Sequence, residues 1–264
     1  MALTRLSRDE FLDGYWEYTP GEHVALAQPT GGGKSQWMYQ LLAATLKQYA
    51  GYLSVRVGIP KRRDKTAAEW NAALGLREVP RWPPPASFKS RPAGWALWPR
   101  HLNASPDQDP DKILEADRAH IERQLKACAV DAYQSGRSVY VADDIYKQAV
   151  ILNMNQFFSE ILTDGRSMEC GLWGCNTKAS GTKEGSVTSF FWNQPTHLFF
   201  GHDGDKRNRD RFGEIGGVDP QYVSEVVQNL EVHRIGRNNI SDQLYISKAG
   251  SDGSGGPAMC IIGP

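Results

Sequence analysis

The stretch V-A-L-A-Q-P-T-G-G-G-K-S, from Val24 to Ser35, is the main basis for predicting the fold of this chain. Its first four residues form a short apolar run of the length expected for a buried parallel strand. The turn over residues 28–33 is rich in Pro and Gly, and from Lys34 onward apolar residues recur at helical spacing. We therefore predict a strand, a glycine turn and a helix N-terminus in direct succession.

A glycine turn in this position is the layout of a phosphate-binding P-loop. Glycines let backbone N–H groups surround phosphate oxygens without Cβ clashes, and the helix N-terminus adds unpaired donors and a partial positive charge. Lys34 would reach the β- and γ-phosphates of ATP, and the Ser35 hydroxyl would bind Mg²⁺. The predicted nucleotide-binding residues are Pro29, Thr30, Gly31, Gly32, Gly33, Lys34, Ser35 and Gln36.

The motif departs from the consensus G-x-x-x-x-G-K-[ST] at one position, because Gln28 stands where the pattern has Gly. Gly-Lys-Ser alone is common by chance, so the alternative is a flexible surface loop that binds nothing. The strand before the loop, the helix after it and the three adjacent glycines favour the P-loop.

Composition limits the class of protein. The chain has 264 residues, which fits one large α/β domain or a domain with a sizeable insertion. Thirty Lys and Arg balance thirty Asp and Glu, so a nucleic-acid partner would have to meet a local basic patch. The four cysteines lack the paired spacing of a zinc site, which favours buried free thiols. Without a membrane-span pattern or a signal-peptide core, we expect a soluble, cytoplasmic protein.

A second buried strand is predicted to end in two carboxylates. Residues 138–142 read S-V-Y-V-A and precede Asp143 and Asp144. In P-loop ATPases the Walker B group lies at such a place: Asp143 would hold the Mg²⁺ water shell, and Asp144 would orient the attacking water. Most such enzymes use Glu second, so Asp144 has the shorter reach. The alternative is an Asp pair that only caps the following helix.

Asn176 follows a further strand, predicted for residues 171–175. An amide at the tip of a strand beside Walker B can sense the γ-phosphate, so Asn176 is a sensor candidate. The alternative is an Asn that merely starts a turn. In additional-strand P-loop proteins one strand lies between the P-loop strand and the Walker B strand, and we assign residues 171–175 to that position.

The domain organisation follows from these motifs. We predict an N-terminal arm over residues 1–23, a P-loop ATPase domain over 24–248 and a flexible tail over 249–264. Residues 60–110 form an insertion anchored by tryptophans, within which residues 95–98 would add an edge strand.

Three local predictions complete the chain. Apolar spacing over residues 145–162 predicts one continuous helix. The alternating charges of residues 203–211 predict an exposed helix face. Residues 232–235 and 244–247 predict a terminal hairpin.

The order of these parts resembles the FtsK/HerA superfamily of ATP-driven DNA pumps, which includes chromosome translocases, conjugative coupling proteins and viral genome-packaging ATPases. Gly21-Glu22-His23-Val24 is similar to the family's entry into its P-loop strand. Ile59-Pro60-Lys61 looks like the family's Asp-Pro-Lys, with Ile in place of Asp. Asp143-Asp144 matches Walker B, and Asn176 stands where the family usually has glutamine. The resemblance covers about residues 20–235.

The resemblance implies a RecA-like fold with a mostly parallel central sheet, and a hexameric ring that acts on double-stranded DNA. Gly165-Arg166 resembles the family's arginine-bearing turn, which makes Arg166 a candidate catalytic arginine for the neighbouring subunit's nucleotide; the alternative is an ordinary surface arginine or one paired with Asp164. Lys178 and Lys183 are candidate pore-facing DNA contacts, against the alternative of solvated loop lysines. A portal or membrane complex is a further partner that the resemblance allows, in a bacterial host cell or encoded by a virus or mobile element.

Three functions remain open from the sequence. The first is an ATP-hydrolysing DNA translocase or packaging motor. The second is a nucleotide-switched assembly protein that moves nothing. The third is a small-molecule P-loop kinase, for which the charged cluster Arg207–Arg211 could serve as a lid.

Overall fold

A central β-sheet organises the chain in the computed structural model, which describes residues 3–85, 93–103, 108–177, 187, 189–235, 238–251 and 256–264. The strands are β1 (Thr4–Leu6), β2 (Val24–Ala27), β3 (Ser54–Gly58), β4 (Arg77–Val79), β5 (Gly94–Leu97), β6 (Ser138–Ala142), β7 (Cys170–Asn176), β8 (His197–Gly201), β9 (Val232–Ile235), β10 (Asn238–Ser241), β11 (Gln243–Ser251) and β12 (Pro257–Ile262). The α-helices are α1 (Arg8–Glu10), α2 (Lys34–Gln48), α3 (Lys65–Ala73), α4 (Pro110–Ser135), α5 (Asn155–Asp164), α6 (Ser189–Asn193), α7 (Lys206–Gly216) and α8 (Pro220–Gln228).

The main sheet has ten strands in the order β1-β12-β11-β8-β2-β7-β6-β3-β5-β4. Among these, β11 runs antiparallel to both of its neighbours, and the other paired strands run parallel. Strands β9 and β10 form a separate antiparallel ribbon. The predicted RecA-like fold with a mostly parallel sheet is confirmed.

Strand β7 lies between the P-loop strand β2 and the carboxylate-bearing strand β6. Trp173 of β7 is in register with Val24 on one side and with Val141 on the other. All three strands are buried along their whole length, as expected for parallel strands covered on both faces. The prediction that residues 171–175 separate the two motif strands is therefore confirmed.

Helices cover both faces of the sheet and enclose two hydrophobic cores. One core joins α2 and the N-terminal residues, where Phe11, Trp16 and Trp37 are at most 2% exposed. The other core joins α4, α5, α7 and α8 to the opposite face. Helix α4 begins at Pro110, after the N-cap Asp109, as the cap pattern predicts. None of the described helices is long and apolar enough to cross a membrane.

The continuous helix predicted for residues 145–162 is wrong. The segment divides into a π-helical turn at Lys147–Ile151 and helix α5, with Asn153 between them in the left-handed region at φ 52°. Asn tolerates this conformation better than most residues. The buried Gln148 accepts from Tyr140 Oη and donates to Gly58 O. The periodicity of the segment does not reveal these contacts, which involve residues outside it.

The C-terminal pairing also differs from the prediction. Residues 232–235 pair with β10, whereas residues 244–247 belong to β11 in the main sheet, between β8 and β12. Within the predicted tail over residues 249–264, β12 pairs with β11 and with β1, whereas residues 252–255 lie outside the described part of the chain. The strand predicted near residues 95–98 exists as β5, but β4 lies outside it at the edge.

The charged residues 203–211 are only partly the exposed face that was predicted. Arg209 is 6% exposed, and its guanidinium donates to Asp203 O and to Gln228 Oε1 on α8. All four cysteines are buried and free, as expected.

Candidate functional site

A cavity of about 490 Å³ lies at the carboxyl edge of the sheet, where β2, β6 and β7 end side by side. Parallel α/β sheets bind ligands at this edge. The cavity brings together many of the predicted site residues, namely Thr30, Gly31, Gly33, Lys34, Ser35, Gln36, Asp143, Asp144 and Asn176.

The P-loop has the backbone that its glycines predict. Gly31 and Gly33 lie at φ +83° and +91°, a region that residues with a Cβ rarely adopt. Gly33 is the N-cap of α2, so Lys34 and Ser35 begin the helix at the cavity. The N–H groups of this first turn have no intrahelical acceptor and remain free for an anion.

Lys34 supplies a positive charge at the mouth of α2. Its Nζ donates to Pro29 O at 3.0 Å, which folds the side chain back over the loop. Burial lowers the pKa of Lys34, while the carboxylates of Asp143 and Asp144 act in the opposite direction. A half-buried ammonium above a glycine turn is the arrangement expected for binding phosphate.

Asp143 presents one paired and one unpaired oxygen to the cavity. Its Oδ2 accepts from Lys61 Nζ at 2.9 Å. Its Oδ1 is buried and has no hydrogen-bond partner among the residues that the structure describes. Leaving a buried carboxylate oxygen unpaired is costly, so the atom fits a site completed by a metal ion or its water.

Asp144 and Asn176 lie on the same cavity wall with local hydrogen bonds already formed. Asp144 Oδ1 accepts from Lys147 N at 2.9 Å, a local bond of the capping kind considered above as its alternative role. Asn176 Oδ1 accepts from Thr177 N at 2.8 Å, and Asn176 is 7% exposed. Each side chain therefore has a local function and a position from which a γ-phosphate could be reached.

Gln28 explains the departure from the P-loop consensus. Its side chain is 2% exposed; Nε2 donates to Ser241 Oγ at 2.8 Å, and Oε1 accepts from Gln243 Nε2 at 2.9 Å. A Cβ on Gly32 or Gly201 would collide with this side chain. The amide therefore fills a space between two glycines and fastens the base of the P-loop to β10 and β11.

Lys61 and Asp64 are site residues that the motif analysis did not assign. Lys61 Nζ bridges Asp143 and Asp64 Oδ2, at 2.9 and 2.8 Å. Burial lowers the pKa of Lys61, but the two carboxylates outweigh it and raise that pKa above its ordinary value. These two residues could have been found from their position in the fold. Strand β3 is the neighbour of β6, so the loop after β3 reaches the same edge of the sheet as Asp143. Ile240 of β10 also lines the cavity, close to Gly33.

Arg166 lies at the opposite, amino edge of the sheet. It belongs to the 3-10 turn that precedes β7, whereas the cavity lies beyond the end of that strand. Seven residues of strand separate the two edges by roughly 20 Å. The side chain is 69% exposed and its Nη2 lies 3.5 Å from Glu22 Oε1, rather than pairing with Asp164. Arg166 can therefore not reach the cavity of its own chain.

Two other predicted groups lie away from the cavity or outside the structural description. Lys178 and Lys183 fall outside the described residues. Within the Arg207–Arg211 cluster, Arg211 pairs with Glu214 and Arg209 ties α7 to α8. The described part of the cavity lining includes none of this cluster, which leaves the kinase-lid interpretation without support.

Comparison with known proteins supplies fold relatives only. No family model matches the chain, and no curated protein sequence does. Among solved structures, the genome packaging NTPase B204 from Sulfolobus turreted icosahedral virus 2, in complex with sulfate, has a TM-score of 0.57 at 14% identity, covering 94% of this chain and 98% of that chain. The same protein in complex with AMPPCP has a TM-score of 0.56 at 13% identity, covering 94% and 100% of the two chains.

A second relative comes from a different system. The cytoplasmic domain of the Thermomonospora curvata type VII secretion ATPase EccC has a TM-score of 0.53 at 10% identity, covering 91% of this chain and 25% of that chain. The chain thus shares its fold with a genome packaging NTPase and with a secretion ATPase, and this is the kind of fold that the motif resemblance implied.

Proposed function

We propose that this chain is an ATP-hydrolysing motor that forms a hexameric ring and translocates or packages double-stranded DNA. The observation that carries the ATPase part is the carboxyl-edge cavity, where the glycine turn, Lys34, Ser35 and Asp143 converge. The ring and the DNA substrate rest on the fold shared with a viral genome-packaging NTPase, together with the motif resemblance.

Ser35 and Asp143 would hold Mg²⁺, which neutralises charge on the phosphates when it is bound. Asp143 Oδ1 is free to accept from a metal-bound water, while Lys61 keeps Oδ2 oriented. Lys34 would leave Pro29 O and donate to the β- and γ-phosphate oxygens, where the half-buried site strengthens the contact.

The two remaining cavity residues would act on the γ-phosphate side. Asp144 would orient the attacking water, and its short side chain places that water close to the end of β6. Asn176 would sense the γ-phosphate through its amide. Arg166 would act in trans on the neighbouring subunit's nucleotide, because its exposed guanidinium lies at the edge remote from its own cavity.

The test is the ATPase rate of the purified chain with and without duplex DNA of random sequence. Stimulation by DNA supports the motor. Slow hydrolysis that DNA does not change would favour the nucleotide-switched assembly protein, and phosphate transfer to a metabolite would favour the kinase. Lys34→Ala protein measured in parallel identifies any contaminating activity.

A further inference from the structure

A second cavity lies beside the nucleotide cavity, on the same carboxyl edge of the sheet. It has a volume of about 670 Å³ and opens where β4 and β5 end. Its charged lining consists of Arg62, Arg63, Arg100 and Glu78, and His101 also lines it. We call this feature the arginine groove.

The arginine groove concentrates positive charge on a chain with no net charge. Its lining holds three arginines and one glutamate, and Asp117 lies 3.7 Å from Arg62, so the excess positive charge belongs to Arg63 and Arg100. A local positive field of this kind attracts polyanions. Arg63 and Arg100 are exposed, and neither forms a hydrogen bond or ion pair with another described residue. Their guanidinium groups are therefore available to a ligand.

Arg62 gives the groove a fixed wall. Its guanidinium donates to Leu102 O at 3.0 Å and to Asn103 Oδ1 at 3.1 Å, and lies 3.7 Å from Asp117. These contacts hold the loop after β5 against the loop after β3. The free arginines thus project from segments that are tied together, which lowers the entropy lost when a ligand binds.

The groove also shares a loop with the nucleotide site. Residues 60–64 carry Arg62 and Arg63 on one side and Lys61, the partner of Asp143, on the other. Trp98, which lines the groove, donates its indole N–H to Lys61 O at 2.6 Å. A change in what Asp143 binds therefore bears directly on the loop that presents the arginines.

We propose that the arginine groove binds the phosphate backbone of double-stranded DNA, and that Trp98 and Lys61 couple this binding to the nucleotide site. Planar guanidinium groups bind phosphate oxygens in pairs, and an open groove admits an extended polyanion. Contacts of this kind do not read bases, which suits a motor that must pass any sequence. The inference rests on the proposed function and assigns it a DNA site.

The central experiment compares Arg63→Ala/Arg100→Ala with Arg123→Ala/Lys126→Ala, which removes the same charge from the exposed face of α4. Binding of a fluorescent duplex is measured over a range of salt concentrations. The groove variant should bind at least about tenfold more weakly at low salt, with a salt slope smaller by about 2, because two phosphate contacts are lost. The α4 variant should match the wild type.

Nucleotide binding is measured on the same variants to separate the two phosphate sources. Unchanged affinity for a fluorescent ATP analogue supports a separate DNA site, whereas a parallel loss would make the groove part of the nucleotide site and overturn the proposal. A groove variant that binds duplex normally overturns the groove and leaves the motor intact. A wild-type protein that neither binds duplex nor responds to it overturns both.

Trp98→Phe tests the coupling, because it removes the bond to Lys61 O and keeps an aromatic ring. The wild type should change its duplex affinity when a non-hydrolysable ATP analogue is added. In Trp98→Phe the ratio of the duplex affinities measured with and without the analogue should shrink by about half or more relative to the wild type. An undiminished nucleotide effect would overturn the proposed coupling.

Discussion

The two edges of the central sheet differ in the hydrogen bonding of their buried carboxylates. At the amino edge, Glu22 Oε2 accepts from Thr19 N and lies 2.9 Å from His197 Nε2, and His197 Nδ1 lies 2.8 Å from Tyr245 Oη. At the carboxyl edge, Asp143 has one buried oxygen with no partner among the described residues. The protein itself supplies partners to the Glu22 carboxylate at one edge, whereas it leaves an oxygen of the Asp143 carboxylate at the other edge for a ligand.

The difference separates a carboxylate that stabilises the fold from one that is prepared to bind a ligand. Burial would raise the pKa of Glu22, but its bonds to His197 and Thr19 N and the nearby Arg166 outweigh burial and lower that pKa. Glu22 is therefore a stabilising anion. Asp143 instead carries an unsatisfied acceptor, a cost that folding alone does not offset and that a bound metal can relieve. The predictions below test this division.

The largest expected effect is a loss of ATPase activity when a residue of the amino edge is changed. Such a loss would contradict the division between a stabilising and a reactive edge. Arg166→Ala should lower the ATPase rate of assembled protein by about 10³-fold or more, since an arginine acting in trans stabilises charge on the transferring phosphate. Unfolding free energy should change by less than about 1 kcal/mol, because the pair with Glu22 is exposed on the arginine side. ATPase assays and urea denaturation measure the two quantities.

Mixing provides the control for Arg166. Arg166→Ala subunits mixed with Lys34→Ala subunits should recover some hydrolysis at interfaces that pair an intact P-loop with an intact arginine. Arg137→Ala, which removes another exposed arginine at this edge, should retain the wild-type rate. Normal hydrolysis by Arg166→Ala assembled on DNA would remove the amino edge from catalysis.

The carboxyl edge should respond to Lys34→Ala with a loss of about 10²–10³-fold in ATPase rate, since a charged donor to the phosphates is lost in a half-buried site. Lys47→Ala, on the same helix and with an 84% exposed side chain, is the matched control and should be fully active. Steady-state phosphate release measures both. An active Lys34→Ala protein would contradict the P-loop assignment.

The neighbouring carboxylates should separate into two functions. Asp144→Asn should bind ATP normally but hydrolyse it at least about 100-fold more slowly, and the fold should persist because Asn can also cap the Lys147 N–H. Asp143→Asn should raise the Mg²⁺ concentration needed for activity. Nucleotide binding and Mg²⁺ titrations distinguish them. Lost affinity with intact turnover in Asp144→Asn would reverse the two roles.

A smaller effect concerns pH and the amino edge. Burial, helped by the charge of Arg166, lowers the pKa of His23 to about 4, and its Nδ1 accepts from Leu172 N. The unfolded chain therefore binds a proton more readily, so stability should fall as pH drops from about 6.5 towards 4, by about 3 kcal/mol in total. Urea denaturation between pH 7.5 and 4.5 measures this loss. His23→Gln should flatten the dependence, and an unaltered pH profile in this variant would contradict the assignment to His23.

The smallest expected effect is a change in stability that tests the packing of the Gln28 side chain. Gly201→Ala should destabilise the fold by about 1–3 kcal/mol, because the new methyl collides with the Gln28 side chain. Gln28→Ala should cost about as much, because it removes the bonds to Ser241 Oγ and from Gln243 Nε2 and leaves a cavity beside the two glycines. The double variant should cost less than the two together, as measured by denaturant unfolding. Gly204→Ala, where an added Cβ meets nothing within 4 Å, is the control, and strict additivity would contradict the contact.

Short stretches of the sequence were enough to predict individual strands, turns and helices of this protein. The apolar run at Val24, the three glycines and Lys34 predict a strand, a turn and a helix because each signal lies within a few neighbouring residues. The buried strand before Asp143 was readable for the same reason. Even the place of β7 followed, since the P-loop division restricts the order of these strands.

The pairing of these strands and loops with distant segments of the chain was visible only in the folded structure. Gln28 meets Ser241 across 213 positions, and Glu22 meets His197 across 175. Lys61 reaches Asp143 across 82 positions because β3 and β6 are neighbours. Such pairings leave no periodic trace, since their energy comes from polar groups that find partners only after the sheet has closed around them.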